Sequence, residues 1–158
     1  MAYIGIMMNG IDEFFMKKAL EQASLAEKNG DVPIGAVVVK DGEIISKGYN
    51  ERVLCGSATS HAEVLAIERA CKKLGSWRLS GCTLYVTLEP CPMCAGAIIN
   101  SRVDRVVFGT KDAKAGCFGS LINFNSYPFN HKPELVCGVC ADECADILSE
   151  FFEKRRNK

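Results

Sequence analysis

Apolar positions change their period along this 158-residue chain, and each change marks an element. Met16, Ala19, Leu20, Ala23 and Ala26 recur at steps of three and four, which predicts one face of a helix. Asp12 stands where its N-cap is expected, and Asn29-Gly30 where it stops. Ile34 to Lys40 and Glu43 to Tyr49 are apolar, β-branched runs, and Asp41-Gly42 between them suits a tight type I′ hairpin turn. Residues His61 to Leu74 predict a second helix closed by Gly75. Val64, Ile67, Cys71 and Leu74 line one of its faces and Leu65, Ala66 and Ala70 another, so it should be mostly buried.

Cys82 to Leu88 then reads as a strand, Pro92 to Asn100 as a short helix and Arg105 to Phe108 as a strand. That order predicts a parallel pair with a right-handed crossover. A glycine-bearing loop from Gly109 to Gly119 precedes a short strand near Leu135 to Val139. A closing helix turns Cys144, Ile147, Leu148 and Phe151 inward. The sum is a three-layer α/β/α sandwich around a mixed five-stranded sheet.

Composition narrows the class. The length suits one domain over residues 1–158, with the first ten expected to be flexible. Hydrophobic residues make up 48% and charged residues 24%, enough to build a core without a disulfide framework. Lys plus Arg and Asp plus Glu are both 19, which excludes bulk charge as a means of coating nucleic acid or membrane. A local basic patch remains at Lys154-Arg155-Arg156-Asn157-Lys158. Met1 to Gly10 lacks the basic start and length of a secretory leader or membrane span, so a cytoplasmic home is expected. In that reducing setting the nine cysteines serve as ligands, nucleophiles or small buried hydrophobes.

Two segments carry chemistry: His61-Ala62-Glu63 and Pro90-Cys91-Pro92-Met93-Cys94. Each opens a predicted helix. Two cysteines spaced by two residues at a helix start can aim both sulfurs at one point, where the helix dipole favours thiolate. His61 would complete three protein ligands for zinc, leaving the fourth position to water, the mark of a catalytic site. Helix side chains lean towards the N-terminus, so Glu63 can reach beyond the helix end and act as proton carrier. H-x-E with P-C-x-x-C is the known signature of zinc deaminases.

Plainer readings exist for each residue. Ser60 and Glu63 have capping-box spacing, His61 could be a buried histidine, and Cys91 with Cys94 could be a redox pair. These must all hold at once to displace the zinc site. Cys137, Cys140 and Cys144 also suggest a metal cluster, but they lack a fourth ligand of matching spacing and read as ordinary thiols, as do Cys55, Cys71, Cys82 and Cys117.

From about Glu13 to Arg156 the chain resembles the bacterial tRNA-specific adenosine deaminases of the cytidine deaminase-like fold. The resemblance rests on Val32-Pro33-Ile34-Gly35-Ala36, Thr59 with His61-Ala62-Glu63, and Leu84 through Cys91. It continues in Met93-Cys94-Ala95-Gly96, Ser101-Arg102, Arg105-Val106-Val107, Gly119-Ser120-Leu121, Asn130-His131, Asp142-Glu143-Cys144 and Phe151-Phe152. It departs from the family at Ser60, Pro92, Cys137 and Cys140, none of them an inferred ligand.

The resemblance implies one zinc ion per chain on His61, Cys91 and Cys94, with Glu63 as general acid/base. It also implies that Asn50 contacts the base and that Asp112 lies near a neighbouring ribose. The implied reaction is hydrolysis of adenosine to inosine at the wobble position of an arginine tRNA anticodon stem-loop, by a homodimer. Three other classes stay open: a deaminase of a free base or nucleoside such as guanine or cytidine, a non-catalytic zinc or RNA-binding module, and a thiol redox protein.

Overall fold

A computed structural model describes residues 2–157, with side chains from Gly10 onward. Met1, Lys158 and the side chains of residues 2–9 lie outside the described residues, and with them the expected flexibility of the first ten. Helix α1 spans Ala2–Lys28, and the hairpin strands β1 and β2 span Gly35–Lys40 and Glu43–Tyr49. A short α2 (Arg52–Cys55) precedes α3 (Ala62–Leu74) and β3 (Cys82–Leu88). Then follow α4 (Pro92–Ser101), β4 (Arg105–Thr110), β5 (Glu134–Cys137) and α5 (Ala141–Arg156).

The five strands form one sheet in the order β2-β1-β3-β4-β5. β1 runs antiparallel to β2 and β3, while β3, β4 and β5 are mutually parallel. Alternation of side chains along each strand then decides the layers. Ala36, Val38, Leu84, Val86, Val106 and Phe108 meet Ala62, Ala66, Ala70 and Ile98 of α3 and α4. Val37, Val39, Tyr85 and Val107 point the other way, onto Phe15, Met16 and Ala19 of α1 and Cys144 of α5. Both faces are covered, which explains why the central strands read as nearly continuous apolar runs.

At the β1–β2 turn, Asp41 (φ 51°) and Gly42 (φ 76°) both adopt positive φ, as a type I′ turn demands. Two glycines let helices approach the sheet closely. A methyl group on Gly35 would lie 2.0 Å from the Ala19 carbonyl oxygen, and one on Gly48 2.4 Å from that of Ala62. Gly48 therefore sets how near α3 can sit to β2.

Three expectations are corrected. Asp12 is no N-cap: α1 begins ten residues earlier, and Asp12 continues the stripe of Met16, Ala19 and Ala23 into the core. There its carboxylate receives both Arg105 terminal nitrogens at 2.8 Å and the Tyr85 hydroxyl at 2.7 Å. Next, α3 is not mostly buried. Ala62, Glu63, Ala66, Ile67 and Ala70 form one buried face, whereas Val64, Leu65, Cys71 and Leu74 are half-buried and Glu68, Arg69, Lys72 and Lys73 are exposed. Finally, β4 runs to Thr110, and the chain adds α2 and a 3-10 turn at Phe124–Ser126, which sequence pattern did not reveal.

Candidate metal centre

Two helix starts converge at the ends of the sheet strands. His61 is the N-cap residue of α3 and Cys91 that of α4, both in extended backbone conformation, and Pro92 occupies the first turn it fits best. Neither cap residue spends its side chain on the helix. The capping-box alternative fails because His61, not Ser60, is the N-cap, which takes Glu63 out of the position that box requires. The first amide of α3 is held instead by Asn50, whose Oδ1 accepts from Ala62 N–H at 2.9 Å. Asn50, buried after β2, thus ties the hairpin to the helix that carries His61 and Glu63.

The freed side chains meet. His61 Nδ1 lies 3.7 Å from Cys91 Sγ and 3.6 Å from Cys94 Sγ, and all three candidate ligand atoms lie within 4.8 Å of one another. Bonds of about 2.3 Å to sulfur and about 2.0–2.1 Å to nitrogen would hold S and N about 3.6 Å apart across a tetrahedral zinc. The donor set fits that ion in kind and spacing. No other cluster of this sort forms among the described residues. Cys137 is exposed, Cys140 caps α5, and Cys144 is buried against Gly109.

Local electrostatics agree with a ligand set. The hydrogen bond from Cys94, together with His61 and against the cost of burial, draws the Cys91 thiol down to about 4. Cys94, as the donor of that bond and itself buried, is pushed up. His61 is raised by its bond to Cys91. Glu63 is fully enclosed, and burial lifts its carboxyl to about 7 despite a bond to its own backbone. Its Oε1 is one of two buried side-chain polar atoms among the described residues with no hydrogen-bond partner. A buried carboxyl oxygen left without a donor beside three candidate ligands is costly for folding.

A cleft of about 500 Å³ opens over His61. Asn50, Arg52, Lys111, Asp112 and Lys114 line it, with Leu148 and Phe152 contributed by α5. Asp112 reaches the cleft, and its Oδ1 accepts from the amides of Lys114 and Ala115, folding its own loop. Two acids were missed from the sequence. Asp31 accepts from the amides of Val32 and Val53 and from Arg52, fixing the cation at the cleft mouth. Glu89, buried two residues before Cys91, receives the loop amides of Asp112, Phe118 and Ser120. Its adjacency to the Pro90-Cys91 motif is the only local signal.

The MafB19-like deaminase family model matches residues 11–156. The tRNA-specific adenosine deaminase of Bacillus subtilis is 54% identical over 148 residues, covering 93% of this chain and 92% of that protein. This chain belongs to the tRNA-specific adenosine deaminase family. A solved structure from a study of A-to-I editing by tRNA:A34 deaminases at the wobble position superposes with a TM-score of 0.83 at 43% identity, covering 85% of this chain and 99% of that one. The guanine deaminase of Nitrosomonas europaea shares the fold more distantly, with a TM-score of 0.78 at 26% identity over 88% of this chain and 83% of that one. The expected cytidine deaminase-like sandwich is therefore the fold of this deaminase. No helix among the described residues is long and apolar enough to cross a membrane.

Proposed function

We propose that this protein is a zinc-dependent hydrolase that converts adenosine to inosine at the wobble position of a tRNA anticodon, with an arginine tRNA as substrate. The observation that carries the reading is the union of His61, Cys91 and Cys94 beside buried Glu63, whose Oε1 has no partner, under a cleft edged by Arg52, Lys111 and Lys114. The names of its relatives support the RNA substrate. One zinc ion per chain, a homodimer, a cytoplasmic location and one deaminase unit over the whole chain belong to the same proposal.

His61, Cys91 and Cys94 would hold zinc, which supplies a Lewis acid able to make water nucleophilic near neutral pH. The chain's own residues do the rest. Glu63, with its carboxyl lifted to about 7, can both accept and release a proton under working conditions. It takes the proton given up as water adds to C6 of adenine and hands it to ring N1. The proton of the new C6 hydroxyl then passes through the same carboxyl to the exocyclic nitrogen, the C6–N bond breaks as the C6 carbonyl forms, and ammonia leaves. Asn50, held through its Oδ1, presents its amide to the base, and Asp112 faces a neighbouring ribose. Lys111 and Lys114, both exposed on the cleft rim, attract phosphates. An anticodon loop already displays its bases unpaired, so drawing one into the cleft costs little.

Two measurements test this. The purified protein is offered an arginine tRNA anticodon stem-loop, free adenosine, guanine and cytidine in parallel. Inosine in the RNA with little turnover of the free compounds is expected; rapid guanine turnover with unmodified RNA would overturn the substrate. For the metal, Cys94→Ala should reduce zinc by elemental analysis from about one per chain to nearly none, because a two-ligand remnant binds weakly. Full zinc content in that variant would remove Cys94 from the ligand set. A metal-free wild-type protein would instead favour the thiol redox reading.

A further inference from the structure

Glu89 is a buried acid with no cation beside it. Its carboxylate is 2% exposed and makes no ion pair among the described residues. Instead it gathers donors from a segment 23 to 31 residues downstream. Oε1 accepts from Asp112 N–H at 3.1 Å and from the Ser120 hydroxyl. Oε2 accepts from Phe118 N–H at 3.0 Å and Ser120 N–H at 3.1 Å. Gly116 completes the enclosure: a methyl group there would lie 2.3 Å from the Glu89 carboxyl carbon and 2.5 Å from the Asp112 carbonyl oxygen. Cys117 N–H closes the same loop onto the Pro90 carbonyl at 2.9 Å.

The loop so held is the one that brings Lys111, Asp112, Ala113 and Lys114 to the cleft. At its other end, Glu89 is two residues from Cys91 in the turn that starts α4. We propose that Glu89 is a positioning residue that fixes the substrate-facing 111–120 loop against the Cys91 turn, so that the same carboxylate sets the distance between recognition groups and the reacting centre. It touches neither substrate nor candidate ligand atom, and acts through the loop. The chemistry suits a carboxylate: only an acceptor with two oxygens satisfies three amides and a hydroxyl from four directions, and charge strengthens each bond. This inference rests on the deaminase reading for its effect on turnover, but not for its effect on the loop.

Glu89→Gln separates the two. Glutamine keeps one acceptor oxygen and replaces the other with an NH₂ group. If its oxygen faces Phe118 and Ser120 N–H, its NH₂ can donate to the Ser120 hydroxyl, but it then confronts the Asp112 amide. Amide hydrogen exchange should therefore quicken at least about 10-fold at Asp112, with β3 and α4 unchanged. For turnover of the anticodon stem-loop, KM should rise about 10-fold or more, kcat should change less, and zinc content should match wild type. Ser120→Ala, which removes a single donor, should show the same KM direction more weakly, and serves if the glutamine variant does not fold.

Unchanged Asp112 exchange in a folded Glu89→Gln variant overturns the proposal. So does a fall in kcat with zinc loss and a wild-type KM, which would assign Glu89 to the Cys91 turn alone. If wild-type protein deaminates no RNA, the substrate reading fails, while the exchange result still decides whether Glu89 holds the loop.

Discussion

Glu63→Gln is expected to lower kcat by about 10²- to 10⁴-fold while the purified protein keeps its zinc and its fold. Glutamine has nearly the shape of glutamate and fills the same enclosed space in α3, but it cannot cycle a proton. The ligand atoms of His61, Cys91 and Cys94 come from other side chains, so metal content should not fall. Stability should not fall either. Glu63 Oε1 has no partner and the carboxyl is buried, so a neutral amide relieves some of the cost of enclosing charge. Single-turnover kinetics with elemental analysis and chemical denaturation check all three parts. A variant that retains wild-type kcat would exclude Glu63 from proton transfer; one that loses zinc would make it a structural support of the ligands.

The second large effect lies on the opposite face of the sheet. Asp12→Ala is expected to destabilise the fold by about 3 kcal/mol at pH 7, because it strips a half-buried guanidinium of its bidentate partner. The lower end of the usual range applies, since Arg105 is partly exposed and keeps Glu134 at 3.7 Å. For a chain of this length that corresponds to a Tm fall of roughly 6–12 °C. The pH dependence has a definite sign. Burial alone would raise the Asp12 carboxyl, but the hydrogen bonds from Arg105 and Tyr85 outweigh it and hold the group below its ordinary value of 3.8. Its contribution is therefore present above pH 3.8 and lost as pH falls through the folded value. Wild-type and Asp12→Ala denaturation curves should differ at pH 7 and draw together as the pH falls below 3.8 through the lowered folded value. Asp12→Leu with Arg105→Leu should recover most of the loss, since an apolar pair leaves no stranded charge. A gap that does not narrow at all as the pH falls below 3.8 would assign the effect to packing.

These two residues also show what could be read from sequence. His61, Glu63, Cys91 and Cys94 were legible because each pair is close in the chain and its chemistry depends on spacing at a helix start. The hairpin was legible for the same local reason. Asp12 was misread because an acid ahead of an apolar stripe looks like a cap, and its true partners lie 73 and 93 residues away. Glu89 and Asp31 escaped for a related reason: nothing near them in sequence shows which amides they will receive. Sheet order shared that obscurity, since β1 pairs with β3 across the whole of α3.

The contact at Gly48 bears on how such a molecule could change its diet. With no room for even a methyl group between β2 and the start of α3, the helix bearing His61 and Glu63 cannot slide or tilt without rebuilding the hairpin beneath it. The cleft rim is under no comparable constraint: Lys111 and Lys114 sit on a loop and Phe152 near the end of α5, all exposed. Laboratory selection for a different base should therefore collect its substitutions on the rim and leave Gly48 and its neighbours untouched. The reaction and the appetite would then evolve as separate traits, one cast in the scaffold and the other worn at its edge.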